Sequence, residues 1–222
     1  MYSHSVEYKQ SDYESVSFLN LVWVLTGKKH RFNTNGGFLN INNEFENKEF
    51  SNYKNRFKSI VGLFTGAKVK ERRWGVKKFT ALAENLMANN LGVVILGGKE
   101  DLNETAKIER ILDKKDYLNL SGKTSLLETV EIISNLDLLI SSDSGLMHIA
   151  YGAGTSTLSL FGAGIQEKWA PKGNNNHVIN RNLACSPCTK FGYTPDCPIK
   201  VKCLAEISVE EVCGKALEII AD

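Results

Sequence analysis

The sequence predicts an α/β fold in which a parallel sheet carries helices on both faces. From residue 58 onward, short apolar runs alternate five times with helical runs, and the links between them are short. The apolar runs are nearly continuous, which indicates strands that are buried on both faces. Several runs end in glycine or small polar residues, at the edge of the sheet where ligands bind in such folds.

The predicted strands are short and apolar. Residues 60–64 have the sequence IVGLF, and residues 92–98 have the sequence GVVILGG, a strand that runs into a glycine turn. The remaining strands are predicted at residues 117–120, 136–141 and 157–161.

The predicted helices have amphipathic spacing or a capping signal. In the run 76–89, Phe79, Leu82 and Leu86 share one face. A Ser-x-x-Glu capping box begins at Ser125, and another at Ser208 begins the last helix. Further helices are predicted at residues 102–112 and 145–152, and the helix after Ser125 continues to residue 134.

Residues 1–57 have a different character. Ser11 and Glu14 match a capping box, apolar residues follow at helical spacing, and Gly27 suits a helix end. Residues 31–57 are polar and rich in Asn and Gly, so they are predicted to be a linker with one short strand at 37–41. The sequence is therefore divided into a helix and linker, 1–57, and an α/β domain, 58–222.

Composition excludes several classes of protein. The 222 residues are 42% hydrophobic and 23% charged, as in an ordinary globular protein, and the net charge is +2. Nothing in that balance requires a nucleic-acid partner. No apolar run reaches the roughly 18 residues of a membrane-spanning helix. The first residues lack a signal-peptide pattern, so the expected location is the cytoplasm.

The segment LISSDSGLMHIAYGAG interrupts an apolar run with a polar turn that opens a helix. Such a helix start offers unpaired N–H groups and favours negative charge, so Ser144 and Gly145 are candidate ligands of a diphosphate. The alternative is that Asp143 or Ser144 only caps the helix. Asp143 is expected to bind a ligand hydroxyl or to hold the turn. His148, with Met147 beside it, either contacts the ligand or serves as a structural hydrogen-bond donor.

Two further loops follow predicted strands. Arg72 and Arg73 are expected at the same edge as Asp143, where a guanidinium can hold a phosphate through two parallel bonds; the alternative is a solvated basic turn. Gly97 and Gly98 would permit close approach of a nucleotide. Lys123, in the SGKT sequence after the third strand, either lines the same cleft or is solvated.

Four of the five cysteines lie within one short segment. Cys185, Cys188, Cys197 and Cys203 have the spacing C-x2-C-x8-C-x5-C, which fits a structural zinc site. The alternatives are free thiols that pack a loop, or a disulfide, which a reducing cytoplasm disfavours.

These motifs, taken in order, resemble those of the lipopolysaccharide heptosyltransferases, glycosyltransferase family 9. The matching residues are DSGLMH at 143–148, LFG at 160–162, Trp169 with Pro171, RRW at 72–74, LGG at 96–98, LSGKT at 120–124 and the cysteine segment. The chain departs from the family pattern at Ser156 and Ala163, where the family usually has proline, and this puts sugar specificity in doubt.

The resemblance implies the carboxyl-terminal, donor-binding half of a GT-B glycosyltransferase, with a Rossmann-like fold. It implies ADP-heptose as donor, a lipopolysaccharide-type acceptor, and a cytoplasmic location, peripheral at the inner membrane. It also implies that Arg72 holds a phosphate, that Glu100 or Glu104 binds the ribose, and that catalysis requires no cofactor. The general base and the acceptor site are expected in an amino-terminal domain that this sequence lacks, and residues 1–57 are expected to be the last helix and linker of that domain. The alternative is a non-catalytic nucleotide-binding or assembly module with the same fold.

Overall fold

The computed structural model describes residues 3–32, 34–41 and 46–221, so residues 33 and 42–45 of the predicted linker lie outside the described part. The strands are β1 Ile60–Phe64, β2 Gly92–Leu96, β3 Leu118–Asn119, β4 Leu138–Ser142, β5 Ser156–Phe161 and β6 Asn176–Asn180. The helices are α1 Glu14–Thr26, α2 Lys48–Lys54, α3 Val76–Ala88, α4 Leu102–Glu109, α5 Leu126–Ser134, α6 Gly145–Ala153, α7 Gln166–Trp169, α8 Lys202–Ala205 and α9 Val209–Ala221.

The strands form one parallel sheet in the order β3-β2-β1-β4-β5-β6. The chain moves outward from β1 in one direction as far as β3 and then returns to β4 on the other side. The strand order therefore reverses between β1 and β4. In open parallel sheets of this Rossmann-like type, the loops diverge at that point and leave a crevice beyond the carboxyl ends of the strands.

The two faces of the sheet bury separate cores because successive strand residues point to opposite faces. Val61 and Leu63 of β1 pack with α3, α4 and α9 in one cluster. Ile60 and Leu139 pack with α2, α5 and α6 in the other. The predicted α/β fold with helices on both faces is confirmed.

The structure corrects the predicted linker, because part of it folds into α2. Phe50 and Tyr53 of this helix are buried in the same cluster as Ile60 and Val94. The Tyr53 hydroxyl accepts the N–H of Val93 at 2.9 Å and donates to the carbonyl of Asp116, also at 2.9 Å. The packing of the α/β unit therefore begins before residue 58. In the described residues 37–41, where a strand was predicted, the structure has none.

Helix starts differ in how well local signals predict them. At α5, Ser125 and Glu128 form the expected capping box, with Glu128 Oε2 accepting the Ser125 N–H at 2.7 Å. At α1, the predicted box is wrong, since the helix begins after Tyr13 and no side chain caps it. Glu14 instead forms a tertiary ion pair with Lys168. Among the described residues, no helix is long and apolar enough to cross a bilayer.

Candidate functional site

A cleft of about 950 Å³ opens beyond the carboxyl ends of β1, β2 and β4. It lies where the strand order reverses, which is the position expected for a ligand in this type of sheet. The predicted site residues that line it are Arg72, Arg73, Gly97, Gly98, Glu100, Asp143, Ser144, Gly145 and His148. The sheet thus brings together loops that are far apart in the sequence.

The amino terminus of α6 forms one wall of this cleft. Ser144 precedes the helix, but its side chain makes no capping hydrogen bond, and its buried Oγ has no partner among the described residues. A Cβ on Gly145 would meet no protein atom within 4 Å. The space beside Gly145 is therefore open to a ligand, as expected for a helix start that receives an anion. The alternative that Ser144 only caps the helix finds no support in its contacts.

Arg72 and Asp143 form an ion pair at the point where the strand order reverses, between β1 and β4. The distance from Arg72 Nη1 to Asp143 Oδ2 is 2.9 Å, and the two side chains are 18% and 6% exposed. Arg72 Nη2 also lies 3.5 Å from Thr189 Oγ1, at the limit of a hydrogen bond, while the buried Nε has no partner in the part of the chain that the structure describes. The guanidinium is thus held in place and keeps a donor uncommitted.

The surroundings of Asp143 explain its role in the turn. Burial raises the pKa of this carboxyl group, and the Arg72 charge opposes that rise. Gly164, in the loop after β5, is packed against the same carboxylate, and a Cβ at that position would overlap it. Asp143 is therefore enclosed between a cation and the loop after β5, which favours the prediction that it holds the turn.

The loop after β2 places a second carboxylate, that of Asp101, in the cleft. Asp101 was not among the residues predicted from the sequence. Asp101 is buried, and its Oδ2 accepts the Gly98 N–H at 2.9 Å. Burial raises the pKa of Asp101, and the Gly98 hydrogen bond lowers it by less. Asp101 directly precedes α4 at the end of the run Lys-Glu-Asp. This position was the sequence signal that could have identified it as a site residue. Glu100 lines the cleft beside it.

Arg73 has a partly structural role. Its Nε donates to the carbonyl of Ala67 at 2.8 Å, so it braces the loop that follows β1. Arg73 still lines the cleft. Of the two arginines, Arg72 is the one with an uncommitted buried donor.

His148, in the same helix α6, lies beside Trp169 in the cleft wall. The two rings are 6.0 Å apart and meet edge to face. Burial lowers the pKa of His148, so the ring is mainly neutral at pH 7 and can both donate and accept a hydrogen bond. Trp169 belonged to a sequence motif without an assigned role, and the structure places it in the cleft wall.

Three of the candidate residues do not line the cleft. Met147 is fully buried in a cluster with Phe161 and Ala170, because it points back from α6 into the core. Glu104 is one turn into α4, where it pairs with Lys107 at 2.6 Å and does not line the cleft. Lys123 is exposed, in keeping with the solvated alternative, and it borders a separate cavity of about 380 Å³ beside the edge strand β3.

The four clustered cysteines do not form a ligand set in the structure. Cys185 is exposed and Cys203 is buried, and the Cys197 sulfur accepts the N–H of Val201 at 3.2 Å. In the described part of the chain, no group of three or more His, Cys, Asp or Glu side chains is placed to hold a metal ion. The zinc site stays a prediction that metal analysis can test.

The sequence of this chain is similar to those of known proteins. The model of glycosyltransferase family 9 (heptosyltransferase) matches residues 30–196. Lipooligosaccharide heptosyltransferase 2 of Campylobacter jejuni is 29% identical over 168 residues, which are 73% of this chain and 51% of that protein. The chain thus spans about half the length of this relative.

Two solved structures share the fold. One is Escherichia coli ADP-heptose lps heptosyltransferase II, with a TM-score of 0.64 and 23% identity over 80% of this chain and 53% of that one. The other is a glycosyl transferase family 9 protein from Veillonella parvula, with a TM-score of 0.70 and 20% identity. That match covers 98% of this chain and 62% of the other.

Proposed function

Because this chain belongs to glycosyltransferase family 9, the heptosyltransferases, we propose that its cleft binds the nucleotide of a nucleoside-diphosphate sugar. The observation that carries this proposal is the meeting of Arg72 with the open amino terminus of α6. Both lie at the reversal of the strand order, and each favours an anion. The cleft volume, about 950 Å³, is at the upper end of the range typical for small-molecule sites.

The chemistry of this arrangement suits a leaving diphosphate. Breaking a sugar–phosphate bond develops negative charge on the leaving group, and preorganised donors stabilise that charge. Arg72 and the N–H groups near Gly145 can supply such donors without first having to move. The ion pair with Asp143 holds the Arg72 guanidinium in position.

The donor proposed here is ADP-heptose, in keeping with the name of the solved Escherichia coli relative. The acceptor proposed is a lipopolysaccharide-type glycan, since relatives are named lipooligosaccharide or lipopolysaccharide heptosyltransferases. Glu100 is the better placed candidate for the ribose, because it lines the cleft and Glu104 does not. The reaction is proposed to take place in the cytoplasm, with the protein peripheral at the inner membrane.

A complete transferase also needs an acceptor wall and a general base. The curated relative is about twice the length that matches this chain. We therefore assign this chain to the donor side and propose that an amino-terminal domain, in cis or as a partner chain, supplies the rest. In this proposal, the polypeptide alone binds nucleotide but transfers no sugar at an appreciable rate, because orientation of the acceptor contributes many kcal/mol to catalysis.

The alternative is a non-catalytic nucleotide-binding or assembly module. A donor wall alone can bind a nucleotide without reacting, because catalysis also requires an oriented acceptor. Sugar transfer after addition of the amino-terminal domain distinguishes the two functions.

Calorimetry with ADP, GDP, UDP and adenosine tests the binding step. We expect ADP to bind and adenosine to bind more weakly, because it lacks the diphosphate. A product assay with ADP-heptose and a lipid A–Kdo acceptor tests the reaction, with and without the added domain. Failure of ADP to bind the folded protein contradicts the proposal, and binding without transfer in the completed protein supports the alternative.

A further inference from the structure

Lys168 is a buried cation beside the cleft wall. Its side chain is 4% exposed, and it forms an ion pair with Glu14, whose side chain is 16% exposed. The ammonium also donates to the Tyr8 hydroxyl and lies over the Tyr8 ring, 4.2 Å from the centroid. Burial alone would lower the pKa of Lys168, but its bonds to Glu14 and Tyr8 raise it, so the group stays charged.

The partners of Lys168 come from the far end of the sequence. Tyr8 and Glu14 belong to residues 1–57, the segment that the family resemblance assigned to the acceptor-side domain. A second cation in the same region, Lys172, lies 5.4 Å from the Tyr13 ring. Residues 8–14 are therefore fastened to the loop around α7 at two points.

Trp169 follows Lys168 directly in α7 and lines the cleft. The Lys168 ammonium lies 5.8 Å from the centroid of this ring, which in turn packs against His148. A contact path thus leads from Glu14 through Lys168 and Trp169 to His148 in the cleft.

The four residues of α7 need outside support to hold Trp169 in one position. A helix of one turn is not stable by itself, and no side chain caps its amino terminus. Desolvation offsets much of the attraction in a buried ion pair, so such a pair adds little net stability. The Lys168 contacts therefore fix where α7 lies.

We propose that residues 8–14 are an outer support of the nucleotide cleft, in which Glu14 and Tyr8 hold Lys168 and thereby position Trp169 against His148. This inference rests on the proposed function only for the identity of the ligand. Lys168 and Glu14 are positioning residues that do not themselves touch the nucleotide.

In the test, 5-fluorotryptophan is incorporated in place of the three tryptophans, Trp23, Trp74 and Trp169, and their resonances are followed by ¹⁹F NMR. Lys168→Met is expected to shift or broaden the Trp169 resonance while the Trp74 resonance stays, because Trp74 lies in the core under α9. Trp169→Phe assigns the signal. The control is Lys114→Met, which removes an exposed cation whose partner is Glu109 and leaves the contacts of residues 8–14 in place.

The double variant Glu14→Gln/Lys168→Met separates positioning from stability. Lys168→Met alone leaves the Glu14 carboxylate unpaired, whereas the double variant leaves no unpaired charge, so its thermal stability should recover toward wild type. Its Trp169 resonance should stay displaced, and its ADP affinity should stay three- to tenfold below wild type. An unchanged Trp169 resonance in both folded variants would overturn the inference. The resonance decides this even if the wild-type protein binds no ADP, which would contradict the proposed function alone.

Discussion

Arg72 and Asp143 lie on different loops, after β1 and after β4, and they meet at 2.9 Å beyond the ends of those strands. Each side chain is largely buried, so each depends on the other for charge compensation. This relationship makes the candidate phosphate ligand part of the internal structure of the cleft. Substitutions at either residue must therefore be interpreted together.

Removing Arg72 alone should lower stability. Arg72→Met leaves a buried carboxylate without its cation, and breaking a buried pair in this way costs about 3–5 kcal/mol, less whatever protonation of Asp143 relieves. The double variant Arg72→Met/Asp143→Asn should recover most of that loss. Urea unfolding at pH 7 measures all three proteins. Equal stability of the single and double variants would show that the pair is energetically unimportant.

Loss of Arg72 should also weaken ADP binding more than adenosine binding. In the Asp143→Asn background, which leaves no unpaired carboxylate, Arg72→Met should cost roughly 1.5–3 kcal/mol of ADP affinity, the scale of a hydrogen bond to a charged group. Adenosine affinity should hardly change, because adenosine has no phosphate. Calorimetry with both ligands checks this. Equal losses for the two ligands would point to a general disturbance of the cleft.

Gly145→Val should abolish ADP binding and leave the fold intact. Because a Cβ at this position meets no protein atom within 4 Å, the added methyl groups would project into the space reserved for the ligand. Gly145→Ala is the graded control and should weaken binding by less. Calorimetry and thermal unfolding of the same samples give the two readouts. Unchanged ADP affinity in a folded Gly145→Val protein would remove the α6 terminus from the site.

The stability of the protein should depend on pH through Asp143. Burial raises the pKa of this carboxyl above its ordinary value of 3.8, so the folded protein holds the proton more tightly than the unfolded chain does. Its contribution to stability is present at low pH and is lost as the pH rises from 3.8 through the folded pKa.

The measurement is the difference in the free energy of unfolding between wild type and Asp143→Asn across that window. We expect the difference to fall as the pH rises and then to level off. In Arg72→Met proteins the fall should extend to higher pH, because the Arg72 charge opposes the rise in this pKa. A difference that grows with pH would reverse the sign of the argument.

Tyr53→Phe should destabilise the α/β unit by about 1–3 kcal/mol, because it removes the partner of the buried Val93 N–H and of the Asp116 carbonyl. Tyr193→Phe, at an exposed side chain, is the control and should have little effect. Chemical unfolding followed by circular dichroism measures both. If both substitutions are neutral, α2 is not joined to the sheet in the way described here.

Much of the fold could be predicted because its signals are local. The apolar run of β1 was predicted at its exact limits, and the Ser125 capping box formed as expected, since each depends on a few adjacent residues. The polar strand β6 and the short α7 were missed. β6 is an edge strand with half-buried positions, so its sequence lacks a continuous apolar run.

The site was predicted less completely because it is assembled by tertiary contacts. The loops that carry Arg72, Gly98 and Asp143 could be placed at one edge from strand polarity alone. Nothing local, however, indicated that Glu14 would pair with Lys168 rather than cap its own helix. Likewise, Met147 and His148 are adjacent in sequence, but only the helix phase decides that one enters the core and the other the cleft.

The strand order also has a consequence for how the chain folds during synthesis. β1 lies between β2 and β4, and the bond from the Ile60 N–H to the Asp137 carboxylate joins residues 77 positions apart. At a ribosomal rate of about 5–20 residues per second, β1 waits roughly 4–15 s for that neighbour. Throughout this interval, the edge of the apolar strand β1 that later pairs with β4 is unpaired and can bind other nascent chains. A chaperone that binds early would protect this edge.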